Sequence, residues 1–217
     1  VHRYTFDGDA PAKLLFNLGY AQNYDDAVDT YMEVKDDRTL VGYRLSTGWA
    51  KHQPVYFVAK FSQPFNYRFC EDRTCQQQQQ NSVRAKRTEA ELTFADNSQP
   101  LVVKVGLSYA SIDGAGKNIS LETPGFDFDG VHQQARQAWQ NRLGKFSVSG
   151  GSETDKTKFY TALYHSYIAP HLFEDANQEY YGADGKTHKA EDFERYTLFS
   201  LWDTFRTLHP LLTITEP

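Results

Sequence analysis

The chain has 217 residues, 40% of them hydrophobic and 24% charged, and a formal net charge of −5. That length and balance give one or two globular domains with a real core. The acidic balance excludes the electrostatic footprint of a nucleic-acid binder and that of a basic membrane-surface protein. Aromatic residues reach 15%, with 14 Tyr and 3 Trp. Rings with a polar tip suit the apolar faces and hydroxyl rims of sugars. An aromatic-rich β-sandwich needs no ligand, however, and composition alone favours that plainer reading. No apolar run reaches the roughly 18 residues of a membrane-spanning helix. The chain opens on Val1 without an initiator Met or a signal-type segment, and it stops just after a strong helical pattern. Both features read as a piece of a longer protein.

The first part reads as β. Leu14, Phe16 and Leu18 alternate, as do Leu101, Val103, Val105, Leu107 and Tyr109, and the run 55–61 (VYFVAKF) is rich in strand formers. Turn signals separate these runs at Asp7-Gly8-Asp9, Asp36-Asp37, 96–100 (DNSQP) and Asp113-Gly114-Ala115-Gly116. Short strands at this spacing predict a sandwich. The last of these turns lacks the spacing and the following helix of a phosphate-binding loop. Cys70 and Cys75 bracket four residues, and a hairpin end there would allow a local disulfide. A bridge would fit an exported protein and is preferred over two free thiols; no further ligands of zinc-site spacing lie nearby. The tract Gln76–Gln80 reads as an exposed polar loop.

From about residue 129 the period becomes helical. Val131, Ala135, Ala138, Trp139 and Leu143 share a face, and Gly144 is a stop signal. A strand-like 145–148 (KFSV) and Gly150-Gly151 then read as a connection. Ser152 and Asp155 have capping-box spacing at the start of a second helix. Its apolar face carries Phe159, Tyr160, Leu163, Tyr164, Tyr167 and Ile168, and Pro170 ends it. Residues 179–185 (EYYGADG) read as a loop or hairpin. A third helix is expected after Ser200, with Leu201, Trp202, Phe205 and Leu208 on one face, ending before Pro210. The expected fold class is therefore a mainly antiparallel β-sandwich at 1–128, an inter-domain helix and linker at 129–151, and the first helices of an all-helical domain at 152–217.

The segment 196–213 (YTLFSLWDTFRTLHPLLT) is very similar to a signature of glycoside hydrolase family 92. Val41-Gly42-Tyr43-Arg44 through Trp49, then Val55-Tyr56-Phe57, resemble that family's sandwich domain. Segments 104–109 (KVGLSY) and 159–165 (FYTALYH) resemble stretches flanking its inter-domain helix. The resemblance runs from about residue 40 onward, and the SLWDTFR-type motif is its most specific part. It implies a sandwich followed by an α/α toroid of six hairpins, with the active site between them. It further implies a secreted, bacterial, calcium-dependent exo-α-mannosidase, periplasmic or extracellular, that removes terminal mannose from N-glycan-type α-mannosides with inversion. Its partners would be mannose-containing glycans and the remainder of the same polypeptide. The alternative is a non-catalytic carbohydrate-binding or structural sandwich module.

The family's catalytic acid and base match no residue here and are expected downstream of this chain; the calcium ligands are not identifiable in it. Asp203 is the first candidate for a substrate contact, because a carboxylate accepts two sugar hydroxyls. Its competing role is a capping box with Ser200. Trp202 is a candidate for stacking on a sugar face, against core packing beside Phe205. Arg206 is a candidate for orienting Asp203 or binding a hydroxyl, against an exposed helical Arg. His209 reads as a helix-end residue near the C-terminal dipole, and His165 as a buried, hydrogen-bonded histidine. Asn118-Ile119-Ser120 fits the N-glycosylation pattern, which matters only in a eukaryotic secretory pathway.

Overall fold

The computed structural model describes residues 1–8, 10–21, 24–71, 74–75 and 80–216. Its strands are, in chain order, β1 (His2–Tyr4), β2 (Ala12–Asn17), β3 (Asp26–Asp36), β4 (Thr39–Thr47), β5 (Gln53–Phe61), β6 (Phe65–Glu71), β7 (Thr74–Cys75), β8 (Ser82–Ala85), β9 (Thr88–Phe94) and β10 (Leu101–Ser108). Helices α1 (Ile112–Glu122), α2 (Phe128–Leu143) and α3 (Glu153–Ser166) follow. After them come the hairpin strands β11 (Glu179–Tyr181) and β12 (Thr187–Lys189), then α4 (Leu201–Thr204) and α5 (Leu208–Thr215). The contacts divide into two compact units. The first is Val1–Phe128 with Glu174–Asp192, and the second is Asp129–Phe173 with Phe193–Pro217.

The first unit is a sandwich of two antiparallel sheets. One runs β1-β10-β5-β4-β3-β8 and the other β2-β9-β6-β7. Strand β9 shows why they pack. Thr88, Ala90, Leu92 and Phe94 are buried while the residues between them are half exposed, the period of a strand with one covered face. Their counterparts across the core include Met32, Leu40, Phe57, Ala59, Phe61, Leu101 and Val103. Phe61 meets Phe65 edge-on at 5.0 Å and Phe94 at 5.7 Å between ring centroids, spacings at which aromatic pairs add to plain burial. Thr30 and Thr88, the buried hydroxyls of this layer, satisfy each other at 2.9 Å.

The β3–β4 turn falls at the predicted Asp36-Asp37, and the Asp36 side chain accepts the Arg38 N–H at 2.8 Å. Cys70 and Cys75 are cross-strand partners of β6 and β7 and form a disulfide. Of the glutamine tract, 76–79 lie outside the described residues, and Gln80 is exposed.

The turn expected at the end of the sandwich is the first reading that the structure corrects. Asp113-Gly114-Ala115-Gly116 is not a turn but the opening of α1. Ser111 caps that helix, its hydroxyl accepting the Gly114 N–H at 2.9 Å. Ala115 and Ile119 bury against Val41 and Val58 on the sheet face away from the sandwich core. Gly114, and Gly106 on the facing strand, are there for closeness, not for bending. A Cβ on Gly106 of β10 would lie 2.2 Å from the Ala115 carbonyl oxygen, and one on Gly114 would lie 2.1 Å from Asp175 Oδ2. At the other end of α1, buried Lys104 donates to the carbonyls of Thr123 and Pro124 at 2.6 and 3.2 Å. A cation there meets the negative end of the helix dipole. Burial, with Lys60 nearby, pushes its pKa down.

The second unit begins at α2, which runs as predicted to Leu143, with Gly144 N–H donating to the Gln140 carbonyl. The predicted strand-like 145–148 is not a strand; Phe146 lies in no regular element, its carbonyl accepting the Tyr160 hydroxyl at 2.9 Å. Both halves of the Ser152/Asp155 capping box are present on α3. Leu163 is buried, but His165 is exposed beside Tyr164, so it is not a core histidine. The third predicted helix is two short ones. Pro210 does not end a helix; it sits in the first turn of α5, where its missing N–H has no acceptor to lose.

The glycine contacts set a test. Gly114→Ala should destabilise the protein by about 1–3 kcal/mol, as overpacking of a closed site does. Gly116→Ala meets nothing nearer than 3.8 Å and should stabilise by roughly 0.5–1 kcal/mol through helix propensity. Melting curves of both variants beside wild type check the opposite signs.

Candidate substrate-binding site

The signature segment forms α4, a bend at 205–207, and α5. The backbone N–H groups of Asp203 and Thr204 both donate to the Ser200 carbonyl. The Ser200 side chain makes no capping bond, so the expected box with Asp203 does not form on the serine side. Thr204 Oγ1 lies 2.8 Å from His209 Nε2, and Phe199 meets the His209 ring edge-on at 5.1 Å. His209 thus braces the bend from the first turn of α5, rather than standing at a helix C-terminus as expected.

This bracing leaves three unlike side chains in the open. Trp202 is 84% exposed, so it is no core residue here. Asp203 is exposed, and no hydrogen bond or ion pair engages its carboxylate among the described residues. Arg206 is exposed and lies over the Phe205 ring at 5.9 Å rather than pairing with Asp203. An indole face, a free carboxylate and a guanidinium within five residues can stack on a sugar ring, accept its hydroxyl protons and donate to its oxygens. Elsewhere in the second unit, a cleft of about 480 Å³ is lined by Trp139, Arg142, Tyr167, Tyr196 and Glu216 among others. Arg142 and Lys145 both pair with Glu216 there.

The residue that sequence reasoning passed over is Asp175. It is buried, its two oxygens accepting the Ser108 hydroxyl at 2.6 Å and the Asn118 amide at 2.8 Å. Asn118 also donates to the Leu107 carbonyl and accepts the Ala176 N–H at 2.7 Å. These partners stand 57 and 67 residues away along the chain, and no local pattern announces them. Asn118, buried and committed on both sides of its amide, is unavailable for glycosylation in the folded chain. Burial pushes the Asp175 pKa up; the bonds from Ser108 and Asn118 oppose this without cancelling it.

Calcium takes six to eight oxygen ligands, carboxylates foremost. Among the described residues, no group of three or more His, Cys, Asp or Glu side chains could hold a metal ion. The described side chains therefore do not by themselves fit a calcium site.

The fold is a sandwich passing into helices, and comparison with known proteins gives its class. The model of the glycosyl hydrolase family 92 N-terminal domain matches residues 1–108, and that of the family's catalytic domain matches residues 114–217. The chain belongs to glycosyl hydrolase family 92. A family 92 α-mannosidase from Bacteroides thetaiotaomicron superposes with a TM-score of 0.89 at 30% identity, over 97% of this chain and 29% of that one. That enzyme has also been solved in complex with mannoimidazole. A family 92 inverting mannosidase from Bacteroides thetaiotaomicron VPI-5482 superposes with a TM-score of 0.85 at 26% identity, over 97% of this chain and 28% of that one. A protein of Arthroderma benhamiae described as an uncharacterized secreted glycosidase is 33% identical over 107 residues, which is 48% of this chain and 13% of that protein. The chain thus spans less than a third of the length of these relatives. No described helix is long and apolar enough to cross a membrane.

The shift of Asp175 fixes a sign. Its folded pKa lies above the ordinary 3.8, so the folded state holds the proton more tightly than the unfolded state. The stability this contributes is complete below about 3.8 and is lost as pH rises through the folded value. Asp175→Asn, which keeps an acceptor oxygen but cannot ionise, removes that slope. The melting temperature of wild type relative to Asp175→Asn should therefore fall as pH is raised above about 4. Paired melting curves across pH measure it, and parallel curves would refute the burial argument.

Proposed function

We propose that this chain is part of a secreted, calcium-dependent exo-α-mannosidase that releases terminal mannose from α-mannosides of the high-mannose N-glycan type by inverting hydrolysis. The observation that carries the reading is the superposition of 97% of the chain on a family 92 α-mannosidase. The unengaged Asp203 carboxylate, in the segment resembling the family signature, supports it. A periplasmic or extracellular setting is supported by the Cys70–Cys75 disulfide, since such bonds persist in oxidising compartments. The fungal relative's description as a secreted glycosidase points the same way. Along the chain we take 1–128 as the sandwich domain, 129–151 as inter-domain helix and linker, and 152–217 as the first helices of the toroid. Segment Glu174–Asp192 groups with the first unit.

Inverting hydrolysis needs a protonated carboxyl to give its proton to the leaving oxygen. It also needs a carboxylate on the opposite face of the sugar, roughly 6.5–9.5 Å away, to activate water. We assign neither role to a residue of this chain and place both in the remaining polypeptide. In this reading Asp203 accepts hydroxyl protons of the terminal mannose, Trp202 covers a face of the ring, and Arg206 donates to an oxygen. A carboxylate whose charge is not neutralised by an internal partner makes a stronger bond to such a hydroxyl than a neutral acceptor. Calcium dependence rests on the family resemblance, with ligands supplied from outside the residues described.

Two outcomes test the reading in the full-length enzyme. Asp203→Asn should lower kcat/KM on an α-mannoside by ten- to a hundredfold, the equivalent of about 1.5–3 kcal/mol for a lost charge-assisted hydrogen bond. Its melting temperature should barely change, because the carboxylate has no internal partner to lose; an unchanged kcat/KM in the folded variant would leave Asp203 without a substrate role. Chelation by EDTA should abolish turnover, and calcium should restore it. Full activity in the chelator would remove calcium from the proposal.

A further inference from the structure

The first unit carries an aromatic corner that the reading above does not use. The start of β3 pairs with the end of β4 (Asp26 with Thr47), and the end of β4 pairs with the start of β5 (Ser46 with Gln53). The residues leading directly into β3 and the loop from β4 to β5 therefore lie side by side at one end of the larger sheet. Three large rings stand out from them: Trp49 is 91% exposed, Tyr20 71% and Tyr24 63%. Tryptophan normally buries most of its surface, so one left in water by the folded unit is informative.

The corner is built, not loose. Gly48 N–H donates to the Ala50 carbonyl at 3.0 Å, and Gln53 Nε2 donates to the same oxygen at 3.2 Å, closing the loop around Trp49. Arg44 ties down the neighbouring connection, its Nε donating to the Leu18 carbonyl at 3.0 Å and its Nη1 to Asp25 at 2.8 Å. Gly48 stands against Asp25, where an added Cβ would lie 3.5 Å from the Asp25 Cα. Tyr24 meets the indole at 5.8 Å with the planes 65° apart. An edge contact of this kind steadies the indole and leaves a broad ring face open. Further along the loop, His52 rests against Tyr181 at 5.7 Å between ring centroids.

We propose that Trp49, steadied by Tyr24, is a sugar-stacking platform that takes a pyranose ring of a mannose-containing oligosaccharide. The proposal rests on the mannosidase reading and extends it to glycan recognition by the sandwich. The chemistry favours a sugar over a docked protein segment. An apolar peptide face needs a continuous apolar seat, whereas the chain beside Trp49 is polar: Thr47 precedes it by two residues, Lys51 and His52 follow it, and Asp25 stands against the adjoining Gly48. A flat ring face surrounded by donors and acceptors matches a pyranose, with its C–H face inside and its hydroxyl rim outside. A platform held in place before binding loses little freedom when the ligand arrives.

The test uses the full-length protein and two substrates, a mannose oligosaccharide and an aryl α-mannoside. Trp49→Ala should lower the ratio of kcat/KM for the oligosaccharide to that for the aryl mannoside by on the order of tenfold, the usual scale for truncating a binding tryptophan. Trp49→Phe, which keeps a ring, should retain most of the ratio, and Tyr24→Ala should lower it partly. An unchanged ratio in Trp49→Ala overturns the platform, whether both activities hold or both fall together. Should wild type turn over neither substrate, the mannosidase reading fails by itself. The platform is then tested by titrating mannose oligosaccharide against tryptophan fluorescence. A quench in wild type that is lost in Trp49→Phe supports it, and an equal or absent quench overturns it. Equal acrylamide quenching of wild type and Trp49→Phe would show the indole covered by another part of the polypeptide, which also overturns it.

Discussion

The first unit depends on one buried carboxylate being fully partnered. Asp175 brings a charge-bearing group out of water, which is tolerated only because Ser108 and Asn118 donate to it. Ser108 ends β10 and Asn118 lies on α1, so the same carboxylate joins the last sandwich strand, the helix that follows it, and a segment more than fifty residues later in the chain. The absence of a side chain at Gly114 is part of the arrangement, since any Cβ there would occupy the carboxylate's place. Removing any one partner would leave a buried polar group unpaired, which costs more than a bond made on the surface contributes.

How legible this was depends on the range of the forces involved. The strands show in the sequence because β2, β5 and β10 alternate or run apolar over their own length. The capping box of α3 shows because Ser152 and Asp155 are three residues apart. Helix α1 was hidden because Gly114 serves close contact with Asp175 and Ser108 of β10, and from sequence alone a glycine pair reads as a turn. Ser111 ahead of Ile112, Ala115 and Ile119 was the signal that competed with it. Pro210 misled in the same manner, since a proline is a stop inside a helix and harmless in its first turn. Asp175 could not have been picked out at all: one acidic residue among 28 Asp and Glu becomes special only when distant residues close around it.

The candidate site inverts this logic. Asp203, Trp202 and Arg206 were singled out through the family signature, and the fold leaves them without internal work. Ser200 does not cap, Arg206 does not pair with Asp203, and His209 takes over the bracing of the bend through Thr204. Groups with no structural employment, held by a neighbour that has one, are free to meet a ligand. In the first unit Trp49 stands in the same relation to Gly48, Gln53 and Arg44.

The interleaving of the two units along the chain bears on how such a gene can change. The polypeptide passes from the first unit to the second after Phe128, returns at Glu174 and leaves again after Asp192. A recombination event that carried off only the leading 128 residues would part Ser108 and Asn118 from Asp175. The sandwich is therefore not a freely portable cassette, and its lineage is tied to that of the helical region whose sequence encodes its missing piece.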